Sequence, residues 1–428
     1  MTGAVPGPDH PRAFLRALFD RAVEVADPLR FVPLHLPPRP EGRVLVVGGG
    51  KAAARMAEAV EAAWGPCEGL VVTRYGHGRP LRGLELVEAA HPVPDAAGEA
   101  ATARMLALVE GAGEGDLVLA LISGGASSLL VAPAPGVSLA DKQAVNAALL
   151  ASGAPIGDMN VVRKHLSRVK GGRLAAAAHP ARLLALAISD VPGDDPGVIG
   201  SGPTVGEGST AADARAILRR WGIAPPTSVV AALSRPSDAV PPGDPRLARA
   251  ETRVVAAPAQ SLAAAAALAE AGGCEARVLG HALEGEAREV AWAMAAQALA
   301  LRGRPGARPL VLLSGGELTV TRRADGVGGP NAEFCLALAI ALGGAPGIHA
   351  LACDSDGIDG AAEVAGALVD PGTLARAAAL GLDPAAALAC NDAHTFFGAL
   401  GDQVVTGPTL TNVNDVRAVL IGDPGHAR

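Results

Sequence analysis

Aromatic residues, lysines and paired cysteines are scarce in this chain of 428 residues. Phe, Trp and Tyr make up 2% of the sequence, so the core has to be built mainly from Ala, Val and Leu at close backbone spacing. The five cysteines are scattered and form no CxxC pair, which argues against a disulfide framework and a zinc ribbon. Lys and Arg together number 36 against 43 Asp and Glu, and a net charge of -7 argues against general nucleic-acid binding.

Targeting and membrane segments are also missing from the sequence. Met1–Arg16 contains Asp9 and several prolines but no apolar stretch of the kind found in signal peptides. Elsewhere Gly, Pro or charge interrupts every apolar run well before the roughly 18 residues that a membrane span needs. We therefore expect a soluble cytoplasmic protein that binds neither membranes nor nucleic acid. Its oligomeric state stays open, with a homodimer as one arrangement.

Short apolar runs recur between Ala-rich stretches, at 43–47, 69–73, 117–122, 183–188, 252–257, 309–313 and 348–353. Continuous apolar strands that alternate with helices predict largely parallel sheets covered on both faces, with ligand-binding loops at the carboxyl ends of the strands. The Pro-rich segment Ser234–Arg249 predicts a domain boundary, and Arg302–Arg308 predicts a loop in the second half. We predict an α/β protein with domains 1–238 and 239–428, and leave open whether the last residues pack back on the first domain.

Lys51 is the most informative residue of the chain. It is one of only four lysines and follows an apolar run and the three glycines Gly48–Gly50. An Ala-rich segment comes next, so the pattern predicts a strand, a tight loop and a helix whose N-terminus favours an anion. The ammonium group adds positive charge at the same point. The loop is predicted to handle phosphate, with a purely structural glycine loop as the alternative.

Known nucleotide-binding motifs do not fit this loop. A P-loop needs glycine at position 45 and Ser or Thr at position 52, where the chain has Leu45 and Ala52. A dinucleotide fingerprint that begins at Gly48 needs glycine at position 53, where the chain has Ala53. An ATP site in this protein must therefore be built differently.

Polar loops follow other predicted strands. Ser123–Ser128 follows the run 117–122, and its three hydroxyls and two glycines suit the binding of phosphate or carboxylate. Ser314–Glu317 follows the run 309–313 in a second loop of similar design. Both loops are predicted to lie at a ligand-binding edge of a sheet.

Charged segments lie near further strand ends. Ser189–Asp195 and Asp354–Gly360 each follow an apolar run, and clustered carboxylates suit a hard cation such as Mg²⁺. Arg163–Arg173 adds positive charge. Each feature has a structural alternative, namely a helix N-cap for the acidic loops and a solvated helix face for the basic segment. We interpret His91 as a turn residue, with a catalytic base as the alternative. The coincidence of so many polar loops at strand ends favours phosphoryl transfer.

Many short motifs, in order along nearly the whole chain, resemble those of the class II glycerate kinases, also described as the MOFRL family. These motifs lie at Val46–Ala52, His91–Asp95, Ile122–Ser127, Asn160–Ser167, Lys170–Leu174, Ser189–Asp194, Gly200–Thr204, Ser314–Glu317, Gly328–Glu333, Asp356–Gly360, Asn391–Phe397 and Thr406–Asp415. The resemblance implies phosphorylation of D-glycerate with ATP and Mg²⁺, and 2-phosphoglycerate as the product. It also implies a Rossmann-like N-terminal domain and a MOFRL-type C-terminal domain with the active site in the cleft between them.

The resemblance assigns roles to individual residues. The family lysine falls on Lys51 and the acidic residue of its Ser-Asp-Val loop on Asp190. We expect Lys51 to neutralise the transferring phosphoryl group and Asp190 to orient or deprotonate the C2 hydroxyl. The family often has arginine where this chain has Pro330, so that role must pass to another residue such as Arg163 or Arg173.

The remaining site residues are expected in three groups. Those that bind substrate or phosphate are Gly49, Gly50, Ser123, Gly124, Gly125, Ser127, Arg163, Lys164 and Asn331. Those that bind nucleotide are Ser314, Gly315, Gly316 and Glu333. Those that hold the metal are Glu317, Asp354, Asp356 and Asp359. Two other functions stay open, an NAD(P)-dependent hydroxypyruvate reductase and a non-catalytic sensor of a phosphorylated metabolite.

Overall fold

Two six-stranded sheets organise the protein. The computed structural model describes residues 6–303, 308–360 and 362–422. Its strands are β1 Val44–Gly49, β2 Glu68–Arg74, β3 Glu85–Ala89, β4 Leu117–Ile122, β5 Arg182–Ile188, β6 Ala250–Ala256, β7 Glu275–Gly280, β8 Leu310–Ser314, β9 Ile348–Asp354, β10 Gly366–Val369, β11 Gln403–Val404 and β12 Asp415–Ile421. Its α-helices are α1 Pro11–Val25, α2 Pro28–His35, α3 Ala53–Trp64, α4 Ala96–Glu110, α5 Ala126–Leu129, α6 Leu139–Ala151, α7 Ile156–His165, α8 Arg173–Ala178, α9 Ala211–Arg220, α10 Thr227–Leu233, α11 Pro258–Ala271, α12 Ala287–Leu301, α13 Pro330–Leu342, α14 Thr373–Ala379, α15 Pro384–Ala389 and α16 Ala393–Leu400.

The chain forms two compact units. The central unit is Pro28–Ala256, and the terminal unit combines the residues up to Asp27 with those from Ala257 onward. The predicted boundary at 238/239 differs from this division in two ways. Strand β6 pairs with β5 and completes the central sheet, so that sheet extends to Ala256. Helix α1 packs on α11, β9 and β12, so the start of the chain belongs to the terminal unit.

The central sheet has the order β3-β2-β1-β4-β5-β6, and every neighbouring pair is parallel. All residues of β1 and β4 are buried, because helices cover both faces of a parallel sheet and its inner strands need apolar residues on both sides. The core against this sheet includes Leu45, Met105 and Leu174. A smaller core that includes Val162 joins α6, α7, α9 and α10, and it fixes the helix that carries the basic segment.

The terminal sheet has the order β11-β10-β9-β12-β8-β7. Strands β7 and β8 are parallel neighbours, whereas the other four pairs are antiparallel. The prediction of a largely parallel sheet therefore holds for the central unit and needs correction for the terminal one. The reason is that β12 inserts between β8 and β9 in the opposite direction, and β10 folds back beside β9. Helices α12 and α13 contribute to the core on one side of this sheet, and α1 and α11 to the core on the other. The α/β fold class is confirmed.

Two other sequence-based expectations concern the same elements. Within the described ranges, no helix combines the length and the apolar character that crossing a membrane requires. The predicted loop Arg302–Arg308 lies in large part outside the described residues, which end at 303 and resume at 308.

Candidate active site

The strand order of the central sheet defines where a ligand is expected to bind. The chain proceeds outward from β1 to β2 and β3 on one side, and then from β4 to β6 on the other, so the order reverses between β1 and β4. In open α/β sheets, ligands bind beyond the carboxyl ends of the strands at such a reversal. Lys51 follows β1 and Ser123–Ser128 follows β4. Both therefore lie at the expected position.

The loops after β1 and β4 pack closely on each other. The N–H of Lys51 donates to Gly124 O (2.8 Å), and the N–H of Gly50 donates to Val72 O (3.1 Å). The N–H of Ala52 donates to the Ser123 hydroxyl (3.1 Å), and a Cβ at Gly50 would lie 2.1 Å from that oxygen. These donors are already engaged within the protein and do not form the phosphate cradle expected from the sequence.

The glycines before Lys51 are required by this packing. A Cβ at Gly49 would lie 2.6 Å from the Leu130 side chain, closer than van der Waals contact allows. A Cβ at Gly48 would lie 2.0 Å from Leu121 O on the neighbouring strand. The structural alternative thus accounts for the glycines, and the Lys51 side chain is left as the phosphate-binding candidate of this loop.

Lys51 and His91 come together at Gly125. A Cβ at Gly125 would lie 3.1 Å from His91 Nε2 and 3.3 Å from Lys51 Cγ. Gly125 has φ +81°, a left-handed conformation that glycine adopts without strain. His91 follows β3, and the last residue of its motif, Asp95, caps α4 by accepting a hydrogen bond from the N–H of Gly98 (3.0 Å). His91 lies in a bend, as its interpretation as a turn residue predicts, and the structure also places its ring near the Lys51 side chain.

Three polar side chains form a hydrogen-bonded chain that begins in the loop after β4. The hydroxyls of Ser127 and Ser201 are 2.8 Å apart, and the Ser201 hydroxyl donates to Asn160 Oδ1 (3.1 Å). Ser201 is fully buried and Asn160 nearly so. Ser127 was predicted from the sequence. Ser201 and Asn160 were missed as site residues, although both lie in the family motifs.

The two cationic candidates on α7 differ in their surroundings. Lys164 forms a short ion pair with Glu207 that is largely shielded from solvent. Arg163 donates from Nε to Asn146 Oδ1 (3.4 Å), and burial lowers its pKa. Among the described residues no carboxylate lies within ion-pairing distance of Arg163. Arg163 is therefore better suited than Lys164 to pair with a substrate carboxylate.

Two further lysines of the central unit are buried and bonded to carbonyl groups. Lys142 donates to Leu166 O (2.8 Å), and Lys170 donates to Leu130 O (3.0 Å). Burial, together with the nearby guanidinium groups of Arg163 and Arg173, lowers the pKa of Lys142 to about 7. Burial lowers the pKa of Lys170 well below its ordinary value. Both lysines therefore hold backbone segments together at the cost of desolvating an amine.

We expect this burial to make the stability of the central unit pH-dependent. Between pH 7 and the ordinary lysine pKa near 10.5, the unfolded chain binds a proton at Lys142 that the folded protein does not. The free energy of unfolding therefore rises with pH in this window, by up to about 1.4 kcal/mol per pH unit for one such group. Lys142→Met should reduce the rise, measured by urea unfolding at pH 7 and pH 9.5. An unchanged pH dependence in the variant would contradict the lowered pKa of Lys142. The pH dependence that remains in the variant is expected to come from Lys170.

Asp190 follows β5, the next strand beyond β4 in the central sheet. It is half-buried, and the preceding Ser189 is fully buried and donates its hydroxyl hydrogen to Val191 O (3.3 Å). Because β1, β4 and β5 are parallel neighbours, Lys51, Ser127 and Asp190 share one edge of the sheet. The sequence-based grouping of these loops is confirmed at the level of the sheet edge.

The terminal unit gathers a second set of predicted residues. Asp359 is fully buried and accepts hydrogen bonds from the N–H groups of Asn331 (2.9 Å) and Ala332 (2.8 Å) at the start of α13. His394 Nε2 lies 3.1 Å from the same carboxylate. Asn331 also donates from Nδ2 to Asp415 Oδ1 (2.7 Å). Asp359 and Asn331 thus stabilise the helix N-terminus within a buried polar cluster.

Arg417 connects this cluster to the Ser314–Glu317 loop. Its guanidinium group donates to Asp415 Oδ2 (2.9 Å) and to the carbonyl oxygens of Gly315 and Gly316 (both 2.8 Å). Ser314 Oγ lies 3.4 Å from Arg417 Nε. Burial raises the pKa of Asp415, whereas Arg417 and Asn331 oppose the rise. This buried pair was not predicted from the sequence, because two charges within an apolar stretch give no sign of their partners.

Glu333, predicted to bind nucleotide, is paired within the protein. Its Oε1 accepts from Arg288 Nε (2.9 Å) and its Oε2 accepts from Asn391 Nδ2 (2.9 Å). All three side chains are largely buried. Removing one partner of a buried ion pair typically costs about 3–5 kcal/mol. The contacts of Glu333 are therefore those of a stabilising residue.

Two family models match the sequence. One is described as a domain of unknown function, DUF4147, and matches residues 14–234. The other is the MOFRL family, which matches residues 310–415.

Similar proteins cover almost the whole chain. The D-glycerate 2-kinase of Thermotoga maritima is 40% identical over 406 residues, which are 94% of this chain and 96% of that protein. The crystal structure of glycerate kinase from Thermotoga maritima matches with a TM-score of 0.85 at 38% identity, over 97% of this chain and 100% of that chain. The chain belongs to the class II glycerate kinase family. Another relative, from Agrobacterium vitis and named as a candidate hydroxypyruvate reductase, is 55% identical over 417 residues, 96% of this chain and 94% of that protein.

The four carboxylates predicted to bind a metal lie in different surroundings. Asp354 Oδ1 accepts from the N–H of Asp356 (2.9 Å), and Asp356 Oδ1 accepts from the N–H of Ile358 (2.9 Å). Asp359 holds the start of α13, and Glu317 is exposed. Within the described part of the chain, no three His, Cys, Asp or Glu side chains are arranged to hold a metal ion. The bonds of Asp354 and Asp356 shape the loop after β9, and a metal-binding role for the four carboxylates stays a prediction.

The family often has arginine at the position of Pro330, and the structure explains why proline is tolerated there. Pro330 is the first residue of α13, where proline is well tolerated because its missing N–H has no helical partner. Arg173, one of the two residues considered as replacements, donates from Nη1 to the carbonyl oxygens of Lys164 (2.9 Å) and Lys170 (2.8 Å). Arg173 Nη1 is thus held by two backbone carbonyl groups, whereas its buried Nε has no hydrogen-bond partner among the described residues. Arg163 makes fewer side-chain bonds within the protein and is the better candidate.

Proposed function

We propose that this protein is an ATP-dependent glycerate 2-kinase. It transfers the γ-phosphate of ATP to the C2 hydroxyl of D-glycerate and releases 2-phosphoglycerate and ADP. The observation that supports this proposal most directly is the position of Lys51 beside His91 at the strand reversal of the central sheet, in a fold shared with a glycerate kinase over nearly its whole length. Phosphoryl transfer needs positioning and charge neutralisation, which these side chains can supply.

Three residues of the central unit carry the proposed chemistry. Lys51 stabilises negative charge on the transferring phosphoryl group. Asp190 orients the C2 hydroxyl or accepts its proton as the hydroxyl attacks the γ-phosphate. Arg163 pairs with the carboxylate of glycerate, for which a planar guanidinium is better suited than an ammonium group.

Magnesium enters the proposed reaction as part of the nucleotide substrate. Mg²⁺ commonly binds through substrate phosphates and only one or two carboxylates, so it can arrive as its complex with ATP. Nucleotide binding by the Ser314–Glu317 loop stays a prediction. Within this loop, the carbonyl oxygens of Gly315 and Gly316 accept hydrogen bonds from Arg417. A cytoplasmic location is part of the proposal, and it is consistent with five free cysteines, four of them buried.

The name of the Agrobacterium relative favours hydroxypyruvate reductase as a second candidate. A nicotinamide dinucleotide would need the glycine loop and the start of α3 to bind its pyrophosphate. In this protein the N–H groups of Lys51 and Ala52 donate to the loop after β4, and Ser123 occupies the space next to Gly50. The glycine loop therefore does not present the surface that a reductase needs, and the kinase is the better supported function.

The test is an assay of D-glycerate with ATP and Mg²⁺, coupled to enolase without phosphoglycerate mutase. Immediate formation of phosphoenolpyruvate is expected, because enolase accepts only the product phosphorylated at C2. A signal that requires added mutase would keep the kinase but move the phosphate to C3. If no ADP forms, oxidation of NADH or NADPH by hydroxypyruvate would establish the reductase instead.

A further inference from the structure

The loop after β5 contains an aspartate in an unusual conformation. Asp194 has φ 54° and follows Gly193 with φ 77°, so two consecutive residues are left-handed. Aspartate enters this region more readily than most residues, but the conformation still restricts the backbone and persists where the surroundings demand it.

The carboxylate of Asp194 has an oxygen without a hydrogen-bond partner. Asp194 Oδ1 is closed off from solvent and accepts no hydrogen bond from any described residue. Among the described side chains it is the only carboxylate oxygen in this condition; the other such atoms are His77 Nε2, Arg173 Nε, Asn331 Oδ1, His349 Nδ1 and His394 Nδ1. A carboxylate oxygen removed from water without a donor is costly, and native proteins rarely contain one without a reason.

The neighbouring aspartate shows what a structural role in this loop looks like. Asp195 is exposed, and its Oδ1 accepts from the N–H of Gly197 (2.8 Å) in a local turn. Asp195 O also accepts from the N–H of Val198 (2.9 Å). These bonds account for Asp195, whereas no comparable bond accounts for Asp194 Oδ1.

Asp194 lies in the same loop as Asp190, a residue of the candidate active site. This loop follows β5, which ends at Ile188. The same segment continues to Ser201, whose hydroxyl is 2.8 Å from that of Ser127 in the loop after β4. The loop is therefore anchored at the edge of the sheet where Lys51 lies.

We propose that Asp194 is a ligand-contacting residue of this site, whose Oδ1 receives an electropositive group of a bound substrate. The proposal rests on the proposed kinase function. Two sources have the required chemistry, a hydroxyl hydrogen of D-glycerate and the divalent cation bound to the nucleotide. Neither adds a chemical step, since the contact orients the substrate for the transfer described above.

The test compares Asp194→Asn with the matched control Asp195→Asn in the full-length protein. We measure Tm alone, with D-glycerate, and with ADP plus MgCl₂, and then kcat and KM for glycerate phosphorylation. Asp194→Asn should have a Tm equal to or above that of the wild type, because it removes a charge from an oxygen without a donor. It should lose one ligand-induced Tm shift and roughly 10–100-fold in kcat/KM. Asp195→Asn should have a kcat/KM within about twofold of that of the wild type, since its amide oxygen can still accept a hydrogen bond from the N–H of Gly197.

The two probes distinguish the sources of the electropositive group. Loss of the D-glycerate shift would assign the contact to a substrate hydroxyl. Loss of the ADP–MgCl₂ shift, with an increased Mg²⁺ requirement, would assign it to the cation. A lower Tm with both shifts retained would overturn the proposal in favour of a structural role. Asp194→Gly checks this independently, because glycine adopts the left-handed conformation freely. This variant should likewise have a Tm equal to or above that of the wild type and lose the same ligand-induced shift.

The outcome is separable from that of the kinase proposal. If the wild type does not phosphorylate D-glycerate but Asp194→Asn loses a ligand-induced shift, the contact stands and the proposed function fails. If the wild type is an active kinase and Asp194→Asn matches it in both shifts and in kcat/KM, only the inference about Asp194 fails.

Discussion

Lys51→Ala is expected to lower kcat for glycerate phosphorylation by about 10²–10³-fold while the protein remains folded. The ammonium group is the cationic candidate that follows β1 at the strand reversal, and in the proposed reaction it neutralises charge on the transferring phosphoryl group. The backbone bond from Lys51 N–H to Gly124 O does not depend on the side chain. The loop should therefore keep its conformation. The measurement is kcat at saturating ATP and D-glycerate, with Tm and circular dichroism as checks of folding.

Arg55→Ala is the control for this variant. Arg55 lies on α3, about one turn beyond Lys51, and forms an ion pair with Glu58 (2.9 Å). Its loss removes a positive charge from the same region without touching the strand end, so kcat should stay within about twofold of the wild type. Near-normal turnover by Lys51→Ala would contradict the proposed role of this lysine. A similar fall in both variants would indicate a general electrostatic effect.

Asp190→Asn is expected to lower kcat by about 10²–10⁴-fold, the range typical of a group that accepts a proton in the reaction. Asparagine preserves the size of the side chain and one acceptor oxygen, but it cannot take the proton of the C2 hydroxyl. KM for D-glycerate should change little if Asp190 acts mainly in the transition state. The measurement is the steady-state rate with D-glycerate varied at saturating ATP.

Asp195→Asn serves as the control in the same loop. Its carboxylate is exposed and closes a local turn through Gly197, so its rate should match the wild type. If Asp190→Asn raised KM and left kcat unchanged, Asp190 would bind substrate rather than accept the proton. Unchanged kcat and KM would remove it from the site.

The strands that could be predicted share one physical property. Runs such as 117–122 and 309–313 are continuous apolar segments because helices bury both faces of their sheets. Strands β3 and β7 were missed because they are partly exposed and carry charged residues such as Glu85 and Arg277. Strand β12 is buried throughout yet contains Asp415 and Arg417, whose charges are tolerated because they pair with each other.

Local composition did not locate the boundary between the two units correctly. The Pro-rich segment Ser234–Arg249 contains no α-helix or strand, but it ends directly before β6, which belongs to the central sheet. Helix α1 is the first helix in the chain and packs in the terminal unit. Nothing in the local sequence indicates with which distant strand such an element pairs.

The sequence by itself determined the family, the α/β class, and the placement of Lys51, Ser127 and Asp190 at strand ends. It could do so because apolar runs mark buried strands, and the carboxyl ends of parallel strands meet at one edge of a sheet. Only the tertiary structure decided that His91 lies beside Lys51 and that Lys164 pairs with Glu207. It also decided that Glu333 is bound by Arg288 and that the glycines before Lys51 accommodate protein atoms. The physical reason is that the role of a charged or polar side chain depends on the group it contacts, and the contacting groups lie far apart in the chain.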